Sequence, residues 1–156
     1  MVRNAPPRQF DVCPNPDPET RAEHPYLVVL QSDLVSAIDT RVVAQRWLES
    51  HLPRGSQVAA ESSTPPLPGF QVTPLELPGR GRPRDPNRSL ARLRRDGVDY
   101  VLVTGAVADR VLAARADYPY ETRFYDELRR RAQLVYRLEP GRGLSGPWVR
   151  VYHVPS

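Results

Sequence analysis

RRDGVDYVLVT, residues 94–104, decides the fold class, because it combines the end of a helix, a tight turn and a buried strand. Gly97 suits the C′ position of a helix, where a residue without Cβ adopts the left-handed conformation at little cost. Val98 and Leu93 are then the apolar pair that a Schellman cap brings together. The run Tyr100–Val103 is apolar without alternation, as in a strand covered on both faces. These features predict a largely parallel sheet flanked by helices.

The same order of helix, turn and strand occurs earlier in the chain. Asp39 or Thr40 can cap a helix that stops at Pro53, and residues 57–61 then form a strand. The apolar positions of this helix are Val43, Ala44, Trp47, Leu48 and Leu52. We expect Trp47 to be buried against the sheet, so that Trp47→Ala costs about 3–5 kcal/mol. The repeated unit predicts an α/β domain with parallel strands.

Three more strands complete the predicted sheet, at residues 71–77, 133–138 and 148–154, beside the strand at 99–103. The loop between the last two strands is too short for a parallel return, so they form an antiparallel hairpin. Helices follow Thr104 and Pro119, and the second of these places Phe124 and Tyr125 in the core. The prediction is a single-domain α/β fold with four helices and a mixed, mostly parallel sheet of about five strands.

The rest of the composition sets broad limits. Residues 1–25 are rich in proline and polar residues and are predicted to be a disordered or loosely packed arm, whereas 26–156 form the α/β domain. All 22 basic residues are arginine, and the net charge is only +4. Cys13 is the one cysteine, which excludes an intramolecular disulfide. No signal peptide or apolar membrane span is visible, so the sequence predicts a cytoplasmic chain.

An ordered set of short motifs resembles a known domain. The motifs are DTR at 39–41, Ala44 with Trp47 and Leu48, PRGS at 53–56, GVDYV at 97–101, FYxxL at 124–128 and GPxVRVY at 146–152. Over about residues 30–154 the chain looks like the extracytoplasmic C-terminal domain of bacterial multispanning GT-C glycosyltransferases. These include the protein mannosyltransferase and lipid A arabinosyltransferase-like enzymes.

That resemblance implies a non-catalytic accessory domain, because the catalytic acidic residues of such enzymes lie in the membrane part, which this sequence lacks. The implied partners are the membrane glycosyltransferase core, a glycan acceptor or a polyprenyl-phosphate sugar. The resembled domain is extracytoplasmic and attached to the membrane. No catalytic residue and no cofactor carry over to this chain.

Residues after two parallel strands form the first candidate ligand site, since ligands of open α/β sheets bind beyond the carboxyl ends of the strands. The candidates are Glu61, Ser62, Ser63, Thr104, Asp109 and Arg110. The helix after Thr104 could hold an anion at its N-terminus. The alternative is that these residues are ordinary caps and loop formers. If the site were enzymatic, Glu61 and Thr104 would serve a small transferase or hydrolase.

A second candidate is an anion-binding surface in the densest basic stretch. Its residues are Arg80, Arg82, Arg84 and Arg88, with further arginines up to Arg95. The alternative is a solvated loop and helix face. Nucleic-acid binding through Arg80–Arg95 is a further alternative, although no aromatic residue lies between 71 and 99 to favour RNA or single strands. The scattered histidines predict no metal site. Tyr118 and Tyr120 remain available for stacking on a sugar.

Overall fold

A five-stranded sheet forms the centre of the computed structural model, which describes residues 12–15, 17–28, 38–79 and 81–155. The strands are β1 Val12–Pro14, β2 Tyr26–Val28, β3 Ile38–Asp39, β4 Gln57–Glu61, β5 Gln71–Leu75, β6 Tyr100–Thr104, β7 Gln133–Leu138, β8 Leu144–Ser145 and β9 Val149–His153. The helices are α1 Thr40–His51, α2 Leu90–Arg95, α3 Gly105–Ala113 and α4 Pro119–Arg131.

The order of strands in the central sheet is β5-β4-β6-β9-β7. β4 is parallel to both β5 and β6, whereas β9 is antiparallel to β6 and β7. The predicted α/β class, the mixed five-stranded sheet and the antiparallel C-terminal pair are therefore confirmed. The parallel part occupies one half of the sheet. The strand ends differ from the prediction by up to two residues, as β5 stops at Leu75.

Two apolar clusters cover the two faces of this sheet. Val101 and Val103 of β6 belong to the larger cluster, which contains residues of α2, α3 and α4. Leu102 points the other way and belongs to a cluster with Ala44 and Leu48 of α1. The unalternating apolar run of β6 is thus explained by burial on both faces.

The turn before β6 is the predicted Schellman cap. The amide of Val98 donates to the carbonyl of Leu93 at 2.9 Å, and the amide of Gly97 donates to Arg94 O at 3.1 Å. Gly97 has φ +75°, and Leu93 and Val98 are buried in the larger cluster. The cap therefore ends α2 and directs the chain into the central strand.

The predicted position of Trp47 was wrong in one respect, because its side chain is only partly buried. Ala44 and Leu48 are the fully buried residues of α1 among those predicted to point inward. Trp47 stacks on Tyr136 of β7, with ring centroids 4.4 Å apart, and on His51 at 4.8 Å. Because part of the indole stays in contact with water, the cost of Trp47→Ala falls below the range for a fully buried residue.

The N-terminal region contributes a small local structure. β1 pairs with β2 in antiparallel register, so that Val12 lies opposite Val28. Asn15 closes the connection, because its side chain donates to the carbonyl of His24 at 2.9 Å. The predicted strand or anchor at 26–30 is a strand over Tyr26–Val28, and residues 29–37 lie outside the described residues. The division into an arm and a domain at residue 25 stays a prediction.

Replacing Gly97 by alanine tests the cap. An added Cβ would meet only the side chain of Gln57 at 3.6 Å, so the cost is that of holding a left-handed alanine. We expect a loss of about 1–2 kcal/mol in the free energy of unfolding, measured by urea denaturation. The control is Gly141→Ala, where φ is not positive and the space is open, with an expected change within about 0.5 kcal/mol. Equal losses in both variants would contradict the Schellman geometry.

Candidate functional site

The carboxyl ends of the three parallel strands meet at one edge of the sheet. Glu61 is the last residue of β4 and lies opposite Leu75, the last residue of β5. Thr104 ends β6 and is followed directly by α3. The candidate residues that follow these strands are therefore brought to the same edge, as the parallel arrangement requires.

Glu61 is enclosed at this edge and its side chain has no exposed surface. One carboxylate oxygen, Oε1, accepts from the hydroxyl of Tyr125 and from Nη1 of Arg88 at 3.3 Å. The other oxygen, Oε2, accepts from the amide of Thr104 at 2.8 Å and from its hydroxyl at 3.2 Å. A carboxylate has about four lone-pair sites, so these four donors saturate it.

Arg88 is the cation of this buried pair, and its side chain is also fully enclosed. Nη1 donates to the hydroxyl of Tyr125 at 2.9 Å, while Nε and Nη2 donate to the carbonyl of Glu76 at 3.3 and 3.1 Å. Asp85 lies 4.0 Å from Nε. The guanidinium carbon lies 5.9 Å from the ring centroid of Phe124 and 5.6 Å from that of Tyr125. Arg88 thereby connects the end of β5 to α4.

Tyr125 is the third member of this cluster. Its hydroxyl donates to Glu61 and accepts from Arg88, so it is held between the two charges. Burial and the neighbouring negative charge of Glu61 raise the pKa of Tyr125 well above its ordinary value. The Tyr125 hydroxyl is therefore protonated in the folded protein at neutral pH. We call Glu61, Arg88, Tyr125 and Thr104 the buried polar cluster.

The predicted site at the start of α3 is occupied by contacts within the chain. The amide of Gly105 donates to the carbonyl of Trp148 at 2.8 Å. The Trp148 indole nitrogen donates to the carboxylate of Asp109, with both oxygens at 3.0 Å. A Cβ on Gly105 would lie 2.7 Å from that nitrogen, so only glycine fits beneath the indole. The amide of Gly105, the first residue of α3, thus has a partner within the chain.

The other members of the first predicted set are distributed around this edge. Ser63 and Thr104 share a hydrogen bond of 2.7 Å between their hydroxyls, so Glu61, Ser63 and Thr104 are brought together. Ser62 is exposed. Arg110 donates to the carbonyl of Pro78 at 2.7 Å and lies over the ring of Tyr118 at 6.0 Å. A ligand role for these residues stays a prediction.

A pocket of about 300 Å³ lies beside the buried polar cluster, at the end of β5. Its apolar wall comes from Leu77, Pro78, Pro83 and Pro86, and its charged groups come from Glu76, Arg82, Arg84, Asp85, Arg88 and Glu121. We call this the edge pocket. Of the predicted anion-binding residues, Arg82, Arg84 and Arg88 line it, and Arg80 lies outside the described residues.

The roles of these arginines differ. Arg88 is neutralised by Glu61, whereas Arg82 and Arg84 are exposed and form no ion pair with any described residue. Arg84 lies over the ring of Tyr120, 5.6 Å from its centroid. Farther along the basic stretch, Arg92 and Arg95 pair with Asp96 at 3.2 and 3.5 Å. Arg82 and Arg84 thus place two exposed guanidinium groups without a described ion-pair partner at the edge pocket.

Sequence reasoning missed the partnership of Glu61 with Arg88 and Tyr125. It placed Tyr125 in the core, which is confirmed, but it gave the hydroxyl no partner. It counted Arg88 among surface arginines, and it did not select Glu76 or Glu121. One usable signal was present: Glu61 ends a buried apolar strand, and a buried carboxylate requires a donor or a cation.

The described residues contain no group of three or more His, Cys, Asp or Glu side chains that could hold a metal ion. Within the same residues, none of the helices is long and apolar enough to cross a membrane. The chain matches no protein-family model, and it has no significant match among curated proteins or solved structures. The resemblance to the glycosyltransferase domain therefore stays a prediction.

Tyr125→Phe tests the buried polar cluster. The variant leaves Glu61 and Arg88 without the hydroxyl, and we expect a loss of about 1.5–3 kcal/mol at neutral pH, measured by urea denaturation. The raised pKa of Tyr125 means that the folded protein binds more protons than the unfolded chain above the ordinary value of 10.0. Tyr125 thus makes the wild type lose stability as the pH rises above that value. The decrease in the free energy of unfolding above that pH should be smaller in Tyr125→Phe. Identical pH profiles for the variant and the wild type would contradict the burial of this hydroxyl.

Proposed function

We propose that this chain is a non-catalytic accessory domain that binds a glycan or a polyprenyl-phosphate sugar at the edge pocket. The sequence resemblance to the C-terminal domain of GT-C glycosyltransferases suggests the ligand class and a membrane glycosyltransferase as the partner. The pocket lies beyond the carboxyl ends of the parallel strands, where ligands of open α/β sheets bind.

The non-catalytic role is supported by the carboxylate of Glu61, whose hydrogen-bond acceptor sites are all occupied. A general base or nucleophile must reach the substrate and must have a free lone pair. Glu61 has neither, because its side chain is fully buried and both of its oxygens accept two hydrogen bonds. Glu61, the acidic residue that an enzymatic site at this edge would need, is thus used for hydrogen bonds within the protein.

The binding part of the proposal is supported by the chemistry of the edge pocket. Arg82 and Arg84 are exposed guanidinium groups of the kind that bind phosphate through paired N–H donors. The proline-rich wall offers an apolar surface, and Arg84 lies over the ring of Tyr120. A sugar carrying a phosphate matches this combination of charge and apolar contact.

Two other classes of function have weaker support. A small transferase or hydrolase would need Glu61 to be accessible, and it is enclosed. Nucleic-acid binding would need a continuous basic face from Arg80 to Arg95, but Asp96 pairs with two of its arginines. In addition, Arg94 donates to the carbonyl of Arg131 at 3.1 Å. We therefore favour a small anionic ligand over a polynucleotide.

Titration of the isotope-labelled chain with a water-soluble short-chain prenyl-phosphate sugar tests this function by NMR. The expected result is saturable shifts confined to the amides around the edge pocket, with no chemical conversion of the probe. Arg84→Gln should weaken binding about tenfold, since a charged hydrogen bond contributes roughly 1.5–3 kcal/mol.

Arg142→Gln is the matched control, because Arg142 is an exposed arginine outside the residues that line the pocket. It should bind the probe as the wild type does. Turnover of the probe would contradict the non-catalytic assignment. The absence of amide shifts at high probe concentration would contradict the edge pocket as the binding site. Equal losses of affinity in Arg84→Gln and Arg142→Gln would contradict it as well.

A further inference from the structure

The N-terminal hairpin, which comprises residues 12–15 and 17–28, exposes an apolar face to solvent. Val12, Tyr26 and Val28 are 64, 66 and 52% exposed. In the antiparallel register Val12 lies opposite Val28 and Pro14 lies opposite Tyr26, so these side chains share one face of the hairpin. A two-stranded hairpin is marginally stable by itself in water, and contiguous exposed apolar groups mark interaction surfaces. The hairpin therefore needs a surface to pack against.

Hydrogen bonds around Asn15 hold the connection between the two strands in one shape. The buried side chain of Asn15 donates to the hydroxyl of Thr20 at 3.0 Å and to the carbonyl of His24 at 2.9 Å. Its Oδ1 accepts from the amide of Asp17 at 3.0 Å. The hairpin is thus a preformed unit, so less conformational entropy is lost when it binds to a surface.

The loop at the tip of the hairpin is acidic. Asp17, Glu19 and Glu23 are exposed, and Arg21 is the one basic residue between positions 17 and 23. Three carboxylates and one guanidinium give this loop a net charge of −2. An apolar face joined to an acidic loop is complementary to an apolar surface that carries basic residues.

The edge pocket offers this combination. Its wall contains Leu77, which is 39% exposed, together with prolines. Arg82 and Arg84 are exposed beside this wall and form no ion pair with a described residue. Glu76 and Glu121 also line the pocket, so the complementary part for an acidic loop is the side that carries the two arginines.

The hairpin is attached to the domain close to this pocket. Ile38 is the first described residue after the hairpin, and Arg41, three residues later, donates from Nη1 to the carbonyl of Ser63 at 3.1 Å. Ser63 lies just beyond the end of β4, which is the neighbour of β5, and adjacent strands are about 4.8 Å apart. The chain from Val28 to Ile38 spans at most about 35 Å when fully extended. The hairpin can therefore reach the edge pocket of the same chain.

We propose that the N-terminal hairpin docks on the edge pocket of its own chain. Its apolar face packs on Leu77 and the prolines, and its acidic loop lies over Arg82 and Arg84. The structure shows the undocked form, in which no described hairpin residue lines the pocket. The docked hairpin covers the arginines to which we assign the ligand, so the hairpin and the ligand exclude each other. The docking itself does not depend on the proposed function, whereas the competition rests on it.

A nitroxide spin label on Cys13 tests the docking in the full chain, because Cys13 is the only cysteine. Its side chain lies on the hairpin face opposite to that of Tyr26, so the label leaves the docking face free. At low salt we expect the amide signals of Leu77, Arg82 and Arg84 to lose intensity and to recover when the nitroxide is reduced. High salt should restore part of the intensity, because it screens the exposed charges.

Tyr26→Ser removes the largest apolar group of the docking face and should restore the intensity of the pocket signals. The matched control is Leu134→Ser, which removes another exposed apolar side chain from β7, at the far edge of the sheet. It should keep the signal loss of the wild type. The prenyl-phosphate sugar probe should bind Tyr26→Ser about threefold more tightly than the wild type, because the pocket is no longer partly covered. Its affinity for Leu134→Ser should be that of the wild type.

Pocket signals that keep their full intensity in the spin-labelled wild type would overturn the docking. Equal effects of Tyr26→Ser and Leu134→Ser would overturn it as well. Isotope-labelled chains without a spin label are also mixed with spin-labelled chains without isotope. Signal loss of the same size in that mixture would place the hairpin on a second copy and would overturn docking within one chain.

The two proposals can fail separately. If the hairpin docks and the probe does not bind to Tyr26→Ser, the proposed function fails and the docking stands. If the probe binds and the hairpin does not dock, the inference alone fails.

Discussion

The ion pair between Glu61 and Arg88 is the constraint on which the carboxyl edge of this sheet depends. Both side chains are fully buried, and each charge alone would be strongly destabilising in that position. The pair is tolerated because Tyr125 and Thr104 supply the remaining donors to the carboxylate, and because Glu76 O accepts from the guanidinium. The cluster joins β4, β6, the end of β5 and α4 at one point.

This arrangement has a direct consequence for function. Because Glu61 and the amides of Thr104 and Gly105 have hydrogen-bond partners within the chain, these groups at the ends of β4 and β6 are not available to a ligand. The accessible space lies one strand farther out, beside β5. Arg88 is among the residues that line the pocket there, and it donates to the carbonyl of Glu76, so the buried polar cluster also fixes part of the pocket wall.

The fold was largely predictable because its signals are local. The Schellman cap at Gly97 and the unalternating run of β6 each lie within a few residues, and they specify a turn and a doubly covered strand. Trp47 was misjudged because helical spacing does not say which of two adjacent apolar positions meets the sheet. The buried polar cluster was not predictable in this way. Arg88, Thr104 and Tyr125 lie 27, 43 and 64 residues from Glu61 in the sequence, and they meet it only through the packing of the loop before α2, of β6 and of α4.

A double-mutant cycle with Glu61→Gln and Arg88→Met tests the account most directly, with the free energy of unfolding as the readout. Each single variant leaves one buried charge without its partner and should cost about 3–5 kcal/mol. The double variant leaves neither charge, and we predict that its loss is smaller than the sum of the two single losses by at least about 1 kcal/mol. Losses that add within about 0.5 kcal/mol would show that the two groups do not interact and would contradict the organisation of the sheet edge described above.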